Sequence, residues 1–281
     1  MKGLKRFFLW FSLVGFLLLI LFLWGSRSME KRDDFSDFKI AFQQKKLPIE
    51  EYRYTLDDGE MYYVRIGDKS LPTLLLIHGS PGDWTAWKDL ILTTDLAQYY
   101  QLIIPDRPGY QSSTTMGGGV AIQSSVLAPL MEQHCQPSIV AGHSFGGALA
   151  LQLAVDYPDN VAAVVSLAGT IAAPFQEPKW YNYLAEYPWI QKFLSEGFLK
   201  SNREMMLLSK DLYALTAKLK GLNLPIYLLQ GGKDILVNPG SPFYLLDQFN
   251  NVYLRFNSQW DHFIIWTEME EVSRFLQGLN L

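Results

Sequence analysis

The feature that most constrains this chain is a series of short apolar runs separated by helix-length segments. The runs are Thr73–Ile77, Gln101–Pro105, Ser138–Ala141, Val161–Leu167 and Leu224–Leu229. A strand covered on one face needs apolar residues only at every second position. A strand covered on both faces needs them throughout, and these runs are of that kind. Helix-like sequence lies from about Ala86 to Tyr99, from about Ala121 to His134 and from the Gly142–Gly147 turn to about Tyr157. Strands alternating with helices predict an α/β fold, a mostly parallel sheet with helices on both faces. Two earlier strands, Glu51–Leu56 and Glu60–Ile66, flank Asp57-Asp58-Gly59 and read as a hairpin. Asn251–Phe256 reads as a last strand, and no internal repeat interrupts the series.

The chain has 281 residues, 49% hydrophobic and 14% aromatic, which is enough to bury a large core. A net charge of -4 and no basic stripe beyond the N-terminus exclude an electrostatic footprint for nucleic acid. Cys135 is the single cysteine, so no intrachain disulfide forms. Its place just before a strand reads as an ordinary buried thiol.

Phe7 to Trp24 is an uncharged run interrupted only by Ser12 and Gly15, with Trp10 and Trp24 near its ends and Lys2, Lys5 and Arg6 before it. Eighteen helical residues span about 27 Å, close to a bilayer's hydrocarbon thickness. The expectation is a single-pass membrane anchor within residues 1–28, with the domain outside the cytoplasm. Ser26-Arg27-Ser28 leaves open a cleaved signal segment and a secreted product. Residues 29–50 are expected to be a juxtamembrane stalk. Phe35, Phe38 and Phe42 share one helical face there, suited to lipid or to docking on the domain.

Between Gly169 and Asn223 the strand–helix rhythm stops. The stretch carries Trp180, Tyr181, Tyr183, Trp189, Phe193 and Phe198 among helix-forming residues. It reads as a helical cap, 169–223, inserted after the sixth strand of a core made of 51–168 and 224–281. The aromatic residues either pack the cap down or line a pocket, with Trp180 and Trp189 as candidates for substrate contact.

Gly142-His143-Ser144-Phe145-Gly146-Gly147 follows a strand and opens a helix. That context turns a short motif into a nucleophile elbow, with Ser144 on a strained turn and the Phe145 amide aimed at a developing oxyanion. A serine hydroxyl needs a base to take its proton. Of His78, His134, His143 and His262, only His262 follows Ser144, in the loop after a strand. Asp234 follows Leu224–Leu229 and Gln230-Gly231-Gly232-Lys233, so it ends a strand where an orienting acid belongs. The second oxyanion donor is expected in His78-Gly79-Ser80-Pro81-Gly82, from the Ser80 amide, because Pro81 has none.

With His78–Gly82, Asp106–Gly109, Gly142–Gly147, Gly232–Asp234 and His262-Phe263 in this order, residues 51–281 resemble the α/β-hydrolase superfamily. The resemblance implies an eight-stranded sheet, a cap domain and a hydrolytic site with neither cofactor nor metal. Gln111 departs from the pattern, since relatives often carry a glycine there. A serine nucleophile disfavours the superfamily's aspartate-dependent dehalogenases and epoxide hydrolases.

The expected partner is a small acyl substrate, and a carboxylic ester leads. An aminopeptidase similar to proline iminopeptidases is the alternative. It would need an anion for the substrate amine, for which Glu177, Glu186, Glu196 and Glu204 are available. A membrane-tethered, non-catalytic binding protein is the reading from a different class. Oligomeric state is not legible.

Overall fold

The computed structural model describes residues 35–132 and 136–279. His134, Cys135, the apolar run 7–24 and the first residues of the expected stalk lie outside them. Among the described residues no helix is long and apolar enough to cross a membrane.

Eight strands form one sheet: β1 (Ile49–Leu56), β2 (Gly59–Ile66), β3 (Thr73–Ile77), β4 (Gln101–Pro105), β5 (Ser138–His143), β6 (Val161–Leu167), β7 (Ile226–Gly231) and β8 (Val252–Asn257). Their order is β1-β2-β4-β3-β5-β6-β7-β8. β2 runs antiparallel to both its neighbours, and the remaining pairs are parallel. The chain therefore leaves β3 toward one side for β4 and returns to the other side for β5. Loops diverging from adjacent strand ends leave a crevice at that switch point. Ile77 pairs with Gly142 across β3 and β5, so the loops carrying Ser80 and Ser144 start side by side.

The apolar runs divide by parity into two cores, as strand geometry requires. Leu75, Ile103, Val140, Val164 and Leu228 face one core. Leu74, Leu76, Leu102, Ile104, Ile139, Ala141, Val165 and Leu229 face the other. The helices that seal them are, in chain order, α1 (Phe35–Gln44), α2 (Lys88–Thr93), α3 (Val120–Leu127), α4 (Pro129–Glu132), α5 (Phe145–Asp156), α6 (Trp180–Ala185), α7 (Pro188–Gln191), α8 (Glu196–Leu219), α9 (Ser241–Leu246), α10 (Ile264–Thr267) and α11 (Met269–Gln277). α3, α5, α8 and α9 cover the first core. α1, α2, α10 and α11 cover the second.

Three helices, α6 to α8, fill the insertion between β6 and β7. The 24-residue α8 starts at Ser195, whose side chain accepts the Phe198 amide, and serves two regions. Its second half buries Leu208, Leu212, Leu215 and Leu219 in the sheet's first core. Its first half faces α6.

The segment expected as a stalk is, from Phe35, a helix packed on the domain. Phe42 is fully buried, and the Phe38 ring meets Trp84 edge-on at 4.9 Å. The Lys88 ammonium also lies over the Phe38 ring, 5.1 Å from its centroid. The three-phenylalanine face is satisfied by the second core rather than by lipid. Phe42→Ala should therefore lower stability by about 3–5 kcal/mol, as for other buried phenylalanines. Ile40→Ala on the exposed face should change it by less than about 0.5 kcal/mol. Thermal unfolding of the full chain in detergent micelles reads the difference, and equal small effects would return α1 to a stalk.

Candidate active site

β5 ends at His143 and α5 begins at Phe145, leaving Ser144 alone to make the turn. Its φ of 53° and ψ of −119° lie outside the regions that residues with a Cβ favour. Three backbone hydrogen bonds hold it there. The Ser144 amide donates to Leu167 O at 3.0 Å, and its carbonyl accepts from Gly147 and Thr170 at 3.0 Å each. Two glycines make the turn sterically possible. A Cβ on Gly142 would stand 2.0 Å from the Gly146 carbonyl oxygen, and one on Gly146 would stand 2.3 Å from that of Ile77. The first amide of α5, that of Phe145, is among the helix-end donors with no carbonyl of their own helix to meet.

Asp234 sits in the turn after β7, and its carboxylate is saturated. Oδ1 accepts the amides of Leu236 and Val237 at 2.9 and 2.8 Å. Oδ2 accepts the Gln230 side-chain amide at 3.0 Å and lies 2.9 Å from His262 Nδ1. Burial alone would push this carboxyl up. The His262 ring and the Val237 amide outweigh it and hold Asp234 below the ordinary aspartate range. With Nδ1 bonded to an ionised acid, the His262 ring keeps Nε2 free as a proton acceptor. His143 supports the same loop, its Nε2 lying 2.9 Å from the His262 carbonyl oxygen. Burial and the neighbouring His262 ring push His143 down to about 3, so it is neutral beside the site. Among the described hydrogen bonds, His262 is joined to Asp234 but not to Ser144 Oγ; such bonds often tighten only with substrate present.

The Ser80 loop is fixed from below by His78 and by a buried cluster around Arg107. His78 Nδ1 bonds the Gly79 carbonyl at 2.8 Å, and His78 Nε2 accepts the Arg107 amide at 3.0 Å. The fully buried Arg107 guanidinium donates to the Gly79 carbonyl at 3.0 Å, to Gln123 at 2.8 Å and to Glu204 at 2.6 and 3.1 Å. Its face is covered by two rings, with Tyr110 4.5 Å and Phe145 4.6 Å away. Glu204, on α8, also accepts from the Gln123 amide and the Tyr110 hydroxyl at 2.7 Å each, and from Ser80 Oγ. Burial works against the Arg107 cation, but Glu204 and Tyr110 raise it above its ordinary value. One buried ion pair thus ties the cap helix, the Ser80 loop and the ring beneath the nucleophile turn.

Ser80, Ser144, Asp234 and His262 line one cavity of about 590 Å³. The cap and the loop after β7 supply the rest, including Phe175, Tyr181, Phe198, Met205 and Leu236. Trp180 and Trp189 do not line it. They stand 73% and 63% exposed on the outside of the cap, and Phe175, Tyr181 and Phe198 are the cap aromatics that line the cavity. Of the four glutamates, Glu177 lines the cavity and accepts from Ser209 at 2.7 Å. Glu204 is held by Arg107, Glu186 by Asn202, and Glu196 by Lys200. Gln111 has a φ of 41°, so the glycine-like conformation persists without the glycine.

A family model described as the alpha/beta hydrolase fold matches residues 72–189. A dihydrolipoyllysine-residue acetyltransferase component of an acetoin cleaving system from Cupriavidus necator is 37% identical over 117 residues, 40% of this chain and 30% of that protein. A pimeloyl-[acyl-carrier protein] methyl ester esterase from Yersinia enterocolitica is 28% identical over 58% of this chain and 65% of its own. The chain thus spans from about a third to about two thirds of these curated relatives. Among solved structures, a membrane phospholipase A matches with a TM-score of 0.64 and 18% identity, covering 97% of both chains. Residues 72–189 match the model of the alpha/beta hydrolase fold, and the eight-stranded, mostly parallel sheet is that fold.

Glu204→Gln keeps the side chain's shape and removes its charge, leaving the Arg107 cation buried without compensation. The expected loss is about 3–5 kcal/mol of stability, read as a fall in the unfolding midpoint. Replacing both partners, Arg107→Met with Glu204→Leu, should recover much of that loss. A Glu204→Gln protein as stable as the wild type would show that the pair is not what joins cap and loop.

Proposed function

We propose that this chain is a serine hydrolase that cleaves a carboxylic ester or a related acyl bond. One observation carries the reading: the hydrogen-bonded His262–Asp234 pair lines the same cavity as Ser144, whose backbone is held in a strained turn at the start of a helix. In the first half of the reaction, Ser144 Oγ bonds to the acyl carbon while its proton moves to His262 Nε2. The tetrahedral oxygen accepts hydrogen bonds from the Phe145 and Ser80 amides. Asp234 holds the imidazole's orientation and stabilises the cation that forms, without taking its proton. As the carbonyl re-forms, the alcohol leaves with the proton from His262. Water then repeats the sequence on the acyl-enzyme, giving the acid and free Ser144.

Apolar residues on the cap side of the cavity, Phe175, Phe198 and Met205, suit an acyl chain. Glu177 keeps an aminopeptidase as the second reading, since a carboxylate in that cavity could hold a substrate amine. The run 7–24 supports a membrane anchor that places the domain outside the cytoplasm; cleavage there would instead release a secreted enzyme.

A fluorophosphonate probe should label the wild type and fail to label Ser144→Ala. That substitution should lower kcat on p-nitrophenyl esters at least ~10⁴-fold. A folded wild type that stays unlabelled would refute the enzyme reading in favour of a binding protein. Turnover of prolyl-p-nitroanilide without turnover of the esters would select the aminopeptidase. Protease added to intact cells should digest the domain, and a domain left whole would reverse its side of the membrane.

A further inference from the structure

Six aromatic side chains stand exposed within fourteen consecutive residues of the cap: Trp180, Tyr181, Tyr183, Tyr187, Trp189 and Phe193. α6 turns Asn182 and Ala185 inward, and among the described residues the rest of its apolar surface is left largely exposed. Exposed apolar side chains concentrated in this way mark a site of interaction. Its chemistry is particular. Five of the six rings are tryptophan or tyrosine, which pair an apolar body with a polar edge and favour the boundary between hydrocarbon and water. Charge is sparse, with Lys179, Glu186 and Lys192 alone between 179 and 193.

The path of the N-terminal chain points to the same boundary. The Phe35 ring lies 6.3 Å from Trp84, which follows the Ser80 loop at the carboxyl end of β3. From there α1 leads to Ile49, which pairs with Ile66 at the opposite end of the sheet. The chain thus enters the domain at the end of the sheet that carries the active site and the cap. Ten residues, 25–34, separate Phe35 from the apolar run ending at Trp24. Fully extended, they reach no more than about 35 Å.

We infer that the aromatic face of the cap rests in the headgroup region of a phospholipid bilayer, the one that the N-terminal run enters. This rests on reading that run as a membrane anchor, and it does not depend on the chemistry at Ser144. Tyr181 belongs both to the aromatic face and to the cavity wall. Ile235 and Leu236, 90% and 62% exposed, line the same cavity from the core side. The mouth therefore opens beside the docked face, and an acyl substrate passes from lipid to Ser144 without crossing bulk water.

The test uses the full chain reconstituted into phosphatidylcholine–phosphatidylglycerol vesicles, with the environment-sensitive fluorophore NBD on Tyr183→Cys. A matching label on Asp159→Cys reports the turn before β6, at the far end of the sheet. The unsubstituted chain, labelled at Cys135 alone, gives the background. The expected result is a blue-shifted emission at position 183, protected from iodide and quenched by nitroxide carried on lipid chains, with water-like behaviour at 159. If the chain floats with vesicles but 183 behaves like 159, the docking inference fails and the anchor stands. If the chain does not float, anchor and docking fail together. Protection from iodide without quenching by lipid nitroxide, in a chain that runs as a dimer, would assign the face to a second copy. Fluorophosphonate labelling of the same vesicles reports Ser144 independently of every outcome.

Discussion

The buried pair Arg107–Glu204 is the interaction on which the upper half of the molecule depends. An ionised group moved into the interior costs several kcal/mol unless its partners are complete. Arg107 lies in the turn after β4 and cannot reach water, so its charge is tolerated only while Glu204 is present. That requirement couples two distant stretches of chain. The cap helix must dock for the loop under Ser80 to keep its guanidinium anchor, and the loop must be in place for Glu204 to be satisfied. Such a pair contributes little net stability compared with apolar residues. What it supplies is a single arrangement of cap over core, because a charged partner in the wrong place is costly.

The same economy of placement governs the titratable groups beside Ser144. His143 lies 4.9 Å, ring to ring, from His262. A second imidazolium at that distance would oppose the charge that a base must acquire. Burial keeps His143 neutral, so it supports the His262 loop through one hydrogen bond and adds no positive charge. Asp234, by contrast, remains ionised because four donors converge on it. Adjacent titratable groups are thus driven in opposite directions by burial and by hydrogen bonding.

Much of the architecture was legible because strand periodicity is a local signal. Thr73–Ile77, Gln101–Pro105 and Val161–Leu167 are strands with the bounds read from sequence. The convergence of Ser144, Asp234 and His262 on one cavity was legible too, since each follows a strand read from sequence. What escaped was long-range. Arg107 lay inside a recognised turn, but nothing local says that an arginine there is fully buried, and its partner is 97 positions away. The cap aromatics failed for the opposite reason. A helix shows which residues share a face, but not whether that face turns toward a cavity or away, and Trp180 and Trp189 turn away. α1 was misjudged because three phenylalanines on a short helix suit lipid and protein equally well. The surface that decides between them, around Trp84, belongs to another part of the chain.

α8 has a mechanical consequence. A rod of 24 residues is about 36 Å long, and its lower half is keyed into the sheet by four leucines. Each would lose ~1.5–3 kcal/mol if withdrawn. The upper part of the protein is therefore not a lid on a hinge but a scaffold with one fixed post. Compliance is left to the short helices α6 and α7 and the turns around them. A protein engineer who wished to transplant this roof onto another sheet would have to cut within the post, above Leu208. Excising the whole insertion would take part of the foundation with it.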